Sequence, residues 1–288
     1  MIIVTGGTGQ LGRAIVENLL RRVPPSRVGV SVRDPDRARD LEARGVRVRQ
    51  GDFADPAALR RAFEGASQVL LVSSGQQGQP GVRLHRNVVD AARDAGAGRV
   101  VYTSHMAASP DSLFPPMWTH AATEAMLRES GLAFTALRNG FYSDSTRFLM
   151  GDAFRTGEVR APQDGPVSWT THADLAEAAA AVLTGAERRF EGHTPPLLAP
   201  EALDLTQLGE QLAELTGRPS RRVVVPDAGY RAGLVARGVP PERIEIMLGL
   251  FAAARRGEFA ATDPTLAELL GRAPETMRGV LARQLAEA

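Results

Sequence analysis

Cysteine and lysine are both absent from the 288 residues. Without cysteine there are no disulfides, thiolate nucleophiles, iron–sulfur ligands or zinc sites built on sulfur. Without lysine, all 34 basic residues are arginine, which excludes Schiff-base chemistry. An excess of charge is also missing. The formal net charge is +1, which gives no basic footprint for nucleic acid, and the pairs Arg21-Arg22, Arg188-Arg189 and Arg221-Arg222 read as solvated surface. No apolar run approaches the ~18 residues of a membrane-spanning helix. No charged leader precedes Ile2-Ile3-Val4, so the chain is expected to stay in the cytoplasm. No metal-ligand cluster, internal repeat or low-complexity tract stands out. Aromatic residues make up only 5%, yet a hydrophobic share of 43% is that of an ordinary globular protein.

What is present is a repeating alternation. Short β-branched runs near 1–5, 27–32, 46–50, 67–72, 98–103 and 132–137 read as strands, and the longer segments between them carry helical periodicity. In the first such segment Leu11, Ile15, Val16, Leu19 and Leu20 share one face. Asp34-Pro35 and Asp55-Pro56 each place a capping acid before a proline suited to the first helical position. Gly96 and Gly98 are read as closing the fourth helix. The pattern predicts an α/β fold, a doubly wound parallel Rossmann sheet over residues 1–142. From 143 to 288 helices dominate, with short strand candidates at 167–170, 194–198 and 222–225 and frequent prolines as breaks. This part is expected to form a smaller, mostly helical substrate lobe interleaved with the first.

Between the first strand and the first helix stands Thr5-Gly6-Gly7-Thr8-Gly9-Gln10-Leu11-Gly12. Glycines 6, 9 and 12 permit a tight turn, close approach to a pyrophosphate and close helix–strand packing, and the helix N-terminus offers free N–H groups. A turn that holds no ligand is the bland alternative. The residue at the end of the second strand selects between NAD and NADP. Arg33 stands there, with a guanidinium fork suited to a 2′-phosphate; Asp34 is accounted for as a cap. Arg33 as plain surface is the competing reading. Asp52 and Phe53 either line the adenine or, for Asp52, form a turn. Ser73, Ser74 and Gly75 either let the cofactor pass or form a simple loop.

These residues, with Val32-Arg33-Asp34-Pro35, His85-Arg86-Asn87-Val88, Tyr102-Thr103-Ser104 and Leu137-Arg138-Asn139-Gly140-Phe141-Tyr142, resemble the NmrA-like atypical short-chain dehydrogenase/reductases. The likeness is nearest to bacterial NAD(P)H:quinone oxidoreductases and triphenylmethane dye reductases, and it extends to the late run Leu270-Gly271-Arg272-Ala273-Pro274-Glu275-Thr276. The resemblance implies NADP(H) as cofactor. Gly6 and Thr8 to Leu11, including Gly9 and Gln10, would hold its pyrophosphate, Arg33 its 2′-phosphate and Ser73 to Gly75 its ribose. Thr103 and Ser104 would lie near the nicotinamide, with Asn139, Gly140, Phe141 and Tyr142 on the acceptor side. The implied acceptor is a quinone or another flat, electron-poor aromatic.

Ordinary short-chain dehydrogenases use a Tyr-x-x-x-Lys pair, in which lysine lowers the phenol pKa. Here the corresponding place reads His120-Ala121-Ala122-Thr123-Glu124. Its two polar groups lie one helical turn apart, and Glu124 is open to a surface or structural reading. His120, Tyr142 and Ser104 are the candidate catalytic residues, with His105 beside them. A quinone that accepts a hydride becomes a stabilised anion and needs less help from a protein acid than a ketone. His85 reads as core, Asp174 as a first-turn acid, His172 as a helix-start residue or one facing the cleft, and Tyr230, Met247 and Phe251 as core rather than substrate wall. The sequence leaves other functions open: reduction or isomerisation of another carbonyl compound, or a non-catalytic dinucleotide-sensing regulator. It leaves a homodimer open too.

Overall fold

The computed structural model describes residues 1–185 and 190–287; the predicted surface pair Arg188-Arg189 falls outside them. The first six strands are β1 (Ile2–Thr5), β2 (Val28–Val32), β3 (Arg47–Gln50), β4 (Gln68–Leu71), β5 (Arg99–His105) and β6 (Ala133–Asn139). Helices α1 (Gln10–Leu20), α2 (Arg39–Ala43), α3 (Pro56–Phe63), α4 (Gly78–Asp94) and α5 (Pro116–Glu129) separate them. The chain then forms β7 (Phe141–Tyr142), α6 (Ser145–Met150), α7 (Ala153–Thr156), β8 (Glu158–Ala161), β9 (Trp169–Thr170), α8 (His172–Thr184) and β10 (Gly192–His193). Helices α9 (Leu205–Thr216), α10 (Asp227–Ala236), α11 (Pro241–Arg255), α12 (Thr265–Leu270) and α13 (Met277–Ala286) follow, with β11 (Arg221–Val224) after α9.

The main sheet runs β10-β6-β5-β4-β1-β2-β3, and every pairing within it is parallel. Such sheets need cover on both faces, so their strands read as continuous apolar runs; all four residues of β1 are buried. Strand order reverses between β1 and β4, and a doubly wound sheet binds ligands outside the carboxyl ends of its strands at such a switch point. Among the described residues no helix is long and apolar enough to cross a membrane.

Leu11, Ile15, Val16 and Leu19 of α1 are buried, with Leu20 packed against the same cluster. Leu175, Ala178, Ala179 and Val182 of α8 lie in that cluster too, so this face of the sheet is covered by a helix from the later half of the chain. Asp174 begins α8 as the expected first-turn acid, but it is buried. It accepts the Glu275 N–H at 2.9 Å and pairs with Arg272 at 2.8 Å, which ties down the run from Leu270 to Thr276. Asp34 and Asp55 cap as expected, accepting from the N–H groups of Asp36 and Ala58.

Several boundaries differ from the sequence reading. Gly96, with φ +72°, does follow α4, whereas Gly98 leads into β5 and donates to the Ser67 carbonyl. Strands β5 and β6 run two residues beyond their expected ends, paired from Arg99↔Ala133 through His105↔Asn139. Polar Ser104, His105, Arg138 and Asn139 had broken the apolar pattern there. In the candidate 194–198 the prolines at 195 and 196 cannot donate to a ladder. The paired strand is Gly192–His193, and Leu197 only bridges Asn139. Strand β8, missed in the sequence, pairs with β11, and β7 pairs with β9.

Candidate active site

The parallel sheet brings the ends of β1, β2, β4, β5 and β6 to one edge. After β1 the chain turns at Gly6, whose φ of +62° suits glycine, and the Gly9 N–H returns to the Gly6 carbonyl at 2.9 Å. A Cβ on Gly12 would lie 2.3 Å from that carbonyl oxygen, so the first turn of α1 is pressed onto the loop. The N-cap Gly9 brings no side-chain cap, and the first turn of α1 has no acid. The positive end of the helix therefore faces outward without a carboxylate of its own. Gly9 and Gln10 are exposed and Thr8 half-buried, while the Leu11 side chain belongs to the core, leaving its N–H as its polar contribution.

Arg33 extends from the end of β2 as an exposed side chain, and its guanidinium has no ion pair among the described residues. The Asp52 carboxylate accepts the Ala54 N–H at 2.9 Å, the expected turn alternative. Phe53 is half-buried, and its carbonyl accepts from Asn87 Nδ2.

The segment after β4 is pinned residue by residue. The Val72 N–H donates to Thr5 Oγ1, the Ser73 N–H to Thr103 Oγ1 and the Ser74 N–H to His85 Nε2, at 3.0, 2.8 and 3.0 Å. Side chains from β1, β5 and α4 thus take over where the ladder stops. Gly75 has open space around it, and Ser74 Oγ is buried without a hydrogen-bond partner.

His85, expected in the core, is fully buried, and burial pulls its pKa down to about 3. Since Nε2 accepts from Ser74, Nδ1 carries the proton and donates to Thr123 Oγ1 at 2.9 Å. The next layer is built from β5 and α5. The hydroxyl of fully buried Tyr102 meets His120 Nδ1 at 2.7 Å, and burial lowers the His120 pKa to about 4. Ser104 Oγ donates to Glu124 Oε1 at 2.6 Å. Glu124 is no surface residue: it is buried and bound through both oxygens by Arg138, at 3.1 and 2.7 Å. His105 turns its Nδ1 to the Ala107 N–H at 3.2 Å, and its ring centroid lies 6.0 Å from that of His120.

The run after β6 divides in two. Asn139 is buried, with Oδ1 unpartnered. Tyr142 is half-buried, its pKa raised by burial, and it stacks at 4.2 Å on His172, which reaches Asp144 at 3.0 Å. His172 begins α8, as the helix-start reading expected. Gln10 also donates to Asp144, which links the glycine loop to this group. Gly140 has a packing reason of its own, since a Cβ there would lie 2.2 Å from Thr170 Oγ1. Phe141 sits in the second core, in ring contact with Phe114, Trp169, Phe259 and His105.

Arg138 and Asp144 went unremarked as site residues in the sequence. A lone arginine late in an apolar strand was the available signal for the first; nothing local distinguished the second. Of the three expected core residues in the later half, Phe251 is buried, and Tyr230 and Met247 are partly buried against apolar clusters while also bordering an open groove of 1190 Å³. None of the expected site residues lines that groove.

The chain's likenesses to known proteins can be set against this geometry. A family described as NAD(P)H-binding matches residues 6–186. Quinone oxidoreductase 2 of Escherichia coli (strain K12) is 36% identical over 280 residues, covering 96% of each chain. The crystal structure of an NADPH-dependent quinone oxidoreductase from Escherichia coli, complexed with NADPH, superposes with a TM-score of 0.90 at 35% identity over 100% of this chain and 99% of the other. The Citrobacter sp. triphenylmethane reductase complexed with NADP(H) gives 0.89 at 32% identity, over 99% and 100%.

Proposed function

The chain belongs to this NAD(P)H-binding family, and from that premise we propose that it is an NADPH-dependent oxidoreductase that passes a hydride to a quinone or a similarly flat, electron-poor acceptor. The observation that carries this reading is the convergence of an uncapped α1, an Arg33 with no ion pair among the described residues and the pinned 72–74 segment at one edge of the sheet. Two buried oxygens without partners, Ser74 Oγ and Asn139 Oδ1, lie on strand-end segments along that edge. Buried polar atoms are normally hydrogen-bonded, so these two fit a polar ligand.

In this reading Gly6 and Thr8 to Leu11 hold the pyrophosphate through N–H groups and the helix dipole. Arg33 holds the 2′-phosphate, and Asp52 with Phe53 borders the adenine. Ser73 to Gly75 flank the ribose, while Thr103, Ser104 and Asn139 to Tyr142 border the nicotinamide. The bound dinucleotide supplies the hydride. The protein contributes position: Tyr102 and Glu124 fix the side chains of His120 and Ser104, and the ring cluster around Phe141 forms a dry wall beneath His105. Residues beyond 142 act as the substrate lobe, interleaved with the first through α8 and β10.

Loss of NADPH absorbance is measured with a benzoquinone, a naphthoquinone, a triphenylmethane dye and an aliphatic ketone. Turnover with the quinones or dye and not the ketone is expected. NADPH binding without turnover of any acceptor would overturn the proposal in favour of a dinucleotide-sensing role.

A further inference from the structure

We propose that His105 and His120 act together as a pair of neutral Nε2–H donors for the acceptor's oxygen, with Tyr102 as the positioning residue that fixes the tautomer of His120. The proposal rests on the reductase reading and narrows its substrate to acceptors that leave as stabilised oxyanions.

The backbone N–H of Ala107 can only donate, so the His105 Nδ1 it reaches at 3.2 Å is unprotonated and the ring's proton is on Nε2. His120 is held alike. The Tyr102 phenol is fully buried and needs an acceptor for its proton. His120 Nδ1, at 2.7 Å, is the hydrogen-bond partner of that hydroxyl among the described residues and so takes its proton. Neither Nε2 has a hydrogen-bond partner among the described residues, and neither is a buried unpartnered atom. Both side chains keep some solvent exposure, and their ring centroids lie 6.0 Å apart.

The other hydroxyl at the end of β5 cannot join them, because Ser104 gives its proton to Glu124, itself clamped by Arg138. Tyr102 and His105 from β5, His85 from α4 and Glu124 on its own helix are the titratable groups around His120. Apart from the clamped Glu124, all are neutral near pH 7, so nothing calls for an imidazolium. A neutral imidazole polarises a carbonyl without surrendering a proton. Hydride addition to a quinone gives the hydroquinone monoanion and NADP+. The monoanion, whose conjugate acid has a pKa close to the ~10 of a phenol, leaves and takes its proton from water. A simple ketone would give an alkoxide comparable with hydroxide, whose conjugate acid has a pKa of ~16, and two neutral donors do not supply that proton.

The test is long-range proton–nitrogen NMR on the full chain with labelled histidine, saturated with NADP+, each ring assigned by its His→Gln variant. Both rings are expected as neutral Nε2–H tautomers from about pH 5.5 to 8, and 1,4-naphthoquinone should shift both Nε2–H signals. In Tyr102→Phe, His120 alone should become a tautomer mixture that titrates, and kcat/KM for the quinone should acquire an acid limb that the parent lacks. His120→Leu should lower kcat by about 100-fold, the loss that follows removal of one donor to a developing oxyanion. An Nδ1–H tautomer or an imidazolium at His120, or signals unmoved by naphthoquinone, would overturn the inference. Correct tautomers and shifts without quinone turnover would instead count against the reductase reading.

Discussion

In the proposed reading, Arg33 is the single side chain that distinguishes the two dinucleotides. Asp34, the neighbouring acid that in an NAD enzyme would be read as a ribose ligand, is committed to the Asp36 N–H, while the Arg33 guanidinium has no ion pair among the described residues. A charged hydrogen bond contributes about 1.5–3 kcal/mol. Arg33→Ala is therefore expected to raise the Kd for NADPH by roughly 10- to 100-fold and to change that for NADH by less than about threefold, as read by fluorescence titration. Equal losses for the two dinucleotides would remove Arg33 from the 2′-phosphate. At this scale the sequence was legible where a residue's neighbours in the chain determine its role. The cap at Asp34 and the glycine turn followed from local pattern. Glu124 did not, because its partners Ser104 and Arg138 come from two other strands and meet it only in the folded sheet.

The elements show how a loop becomes a platform. A parallel strand that ends leaves its next N–H groups without ladder partners, and after β4 three such groups are handed to Thr5, Thr103 and His85. A buried N–H stripped of its acceptor costs about 1–3 kcal/mol. Thr103→Val keeps shape and burial but removes the acceptor for Ser73. The expectation is a loss of stability of about that size, with weaker NADPH binding, checked by thermal unfolding and titration; unchanged affinity would mean that the pinned segment does not shape the site. The six main strands were readable because short β-branched runs recur between helical segments, although β3 at the sheet edge is only partly buried. Their true ends were not, since β5 and β6 continue through polar residues on the strength of their mutual pairing. The pairs β7–β9 and β8–β11 join segments of two or four residues across long stretches of chain, and no local pattern announces them.

For the molecule as a whole, the buried histidines couple stability to acid. Burial lowers the pKa of His85 to about 3, of His120 to about 4 and of His105 well below its ordinary value. The unfolded chain, with histidine near ~6.5, then binds protons that the folded state refuses, so stability is complete above that pH and falls as pH drops toward 4. For fully buried His85 the loss approaches ~1.4 kcal/mol per pH unit within this window. Differential scanning calorimetry from pH 7 to 5 should show Tm falling, less steeply in His85→Gln. A Tm flat over that range would mean that these rings protonate freely in the native state.

The seventh strand also bears on how the molecule is made. β6 acquires its outer neighbour from Gly192–His193, with Leu197 bridging Asn139, the Gln68 side chain closes on the Leu183 carbonyl, and Arg99 on that of Phe190. During synthesis the first six strands thus emerge from the ribosome with the outer flank of β6 unpaired and α1 lacking the cover that α8 supplies. Both remain so until the translating ribosome has passed well beyond residue 193. An unpaired edge is a template for association between chains, and this interval is where a growing polypeptide of this kind has most need of a chaperone.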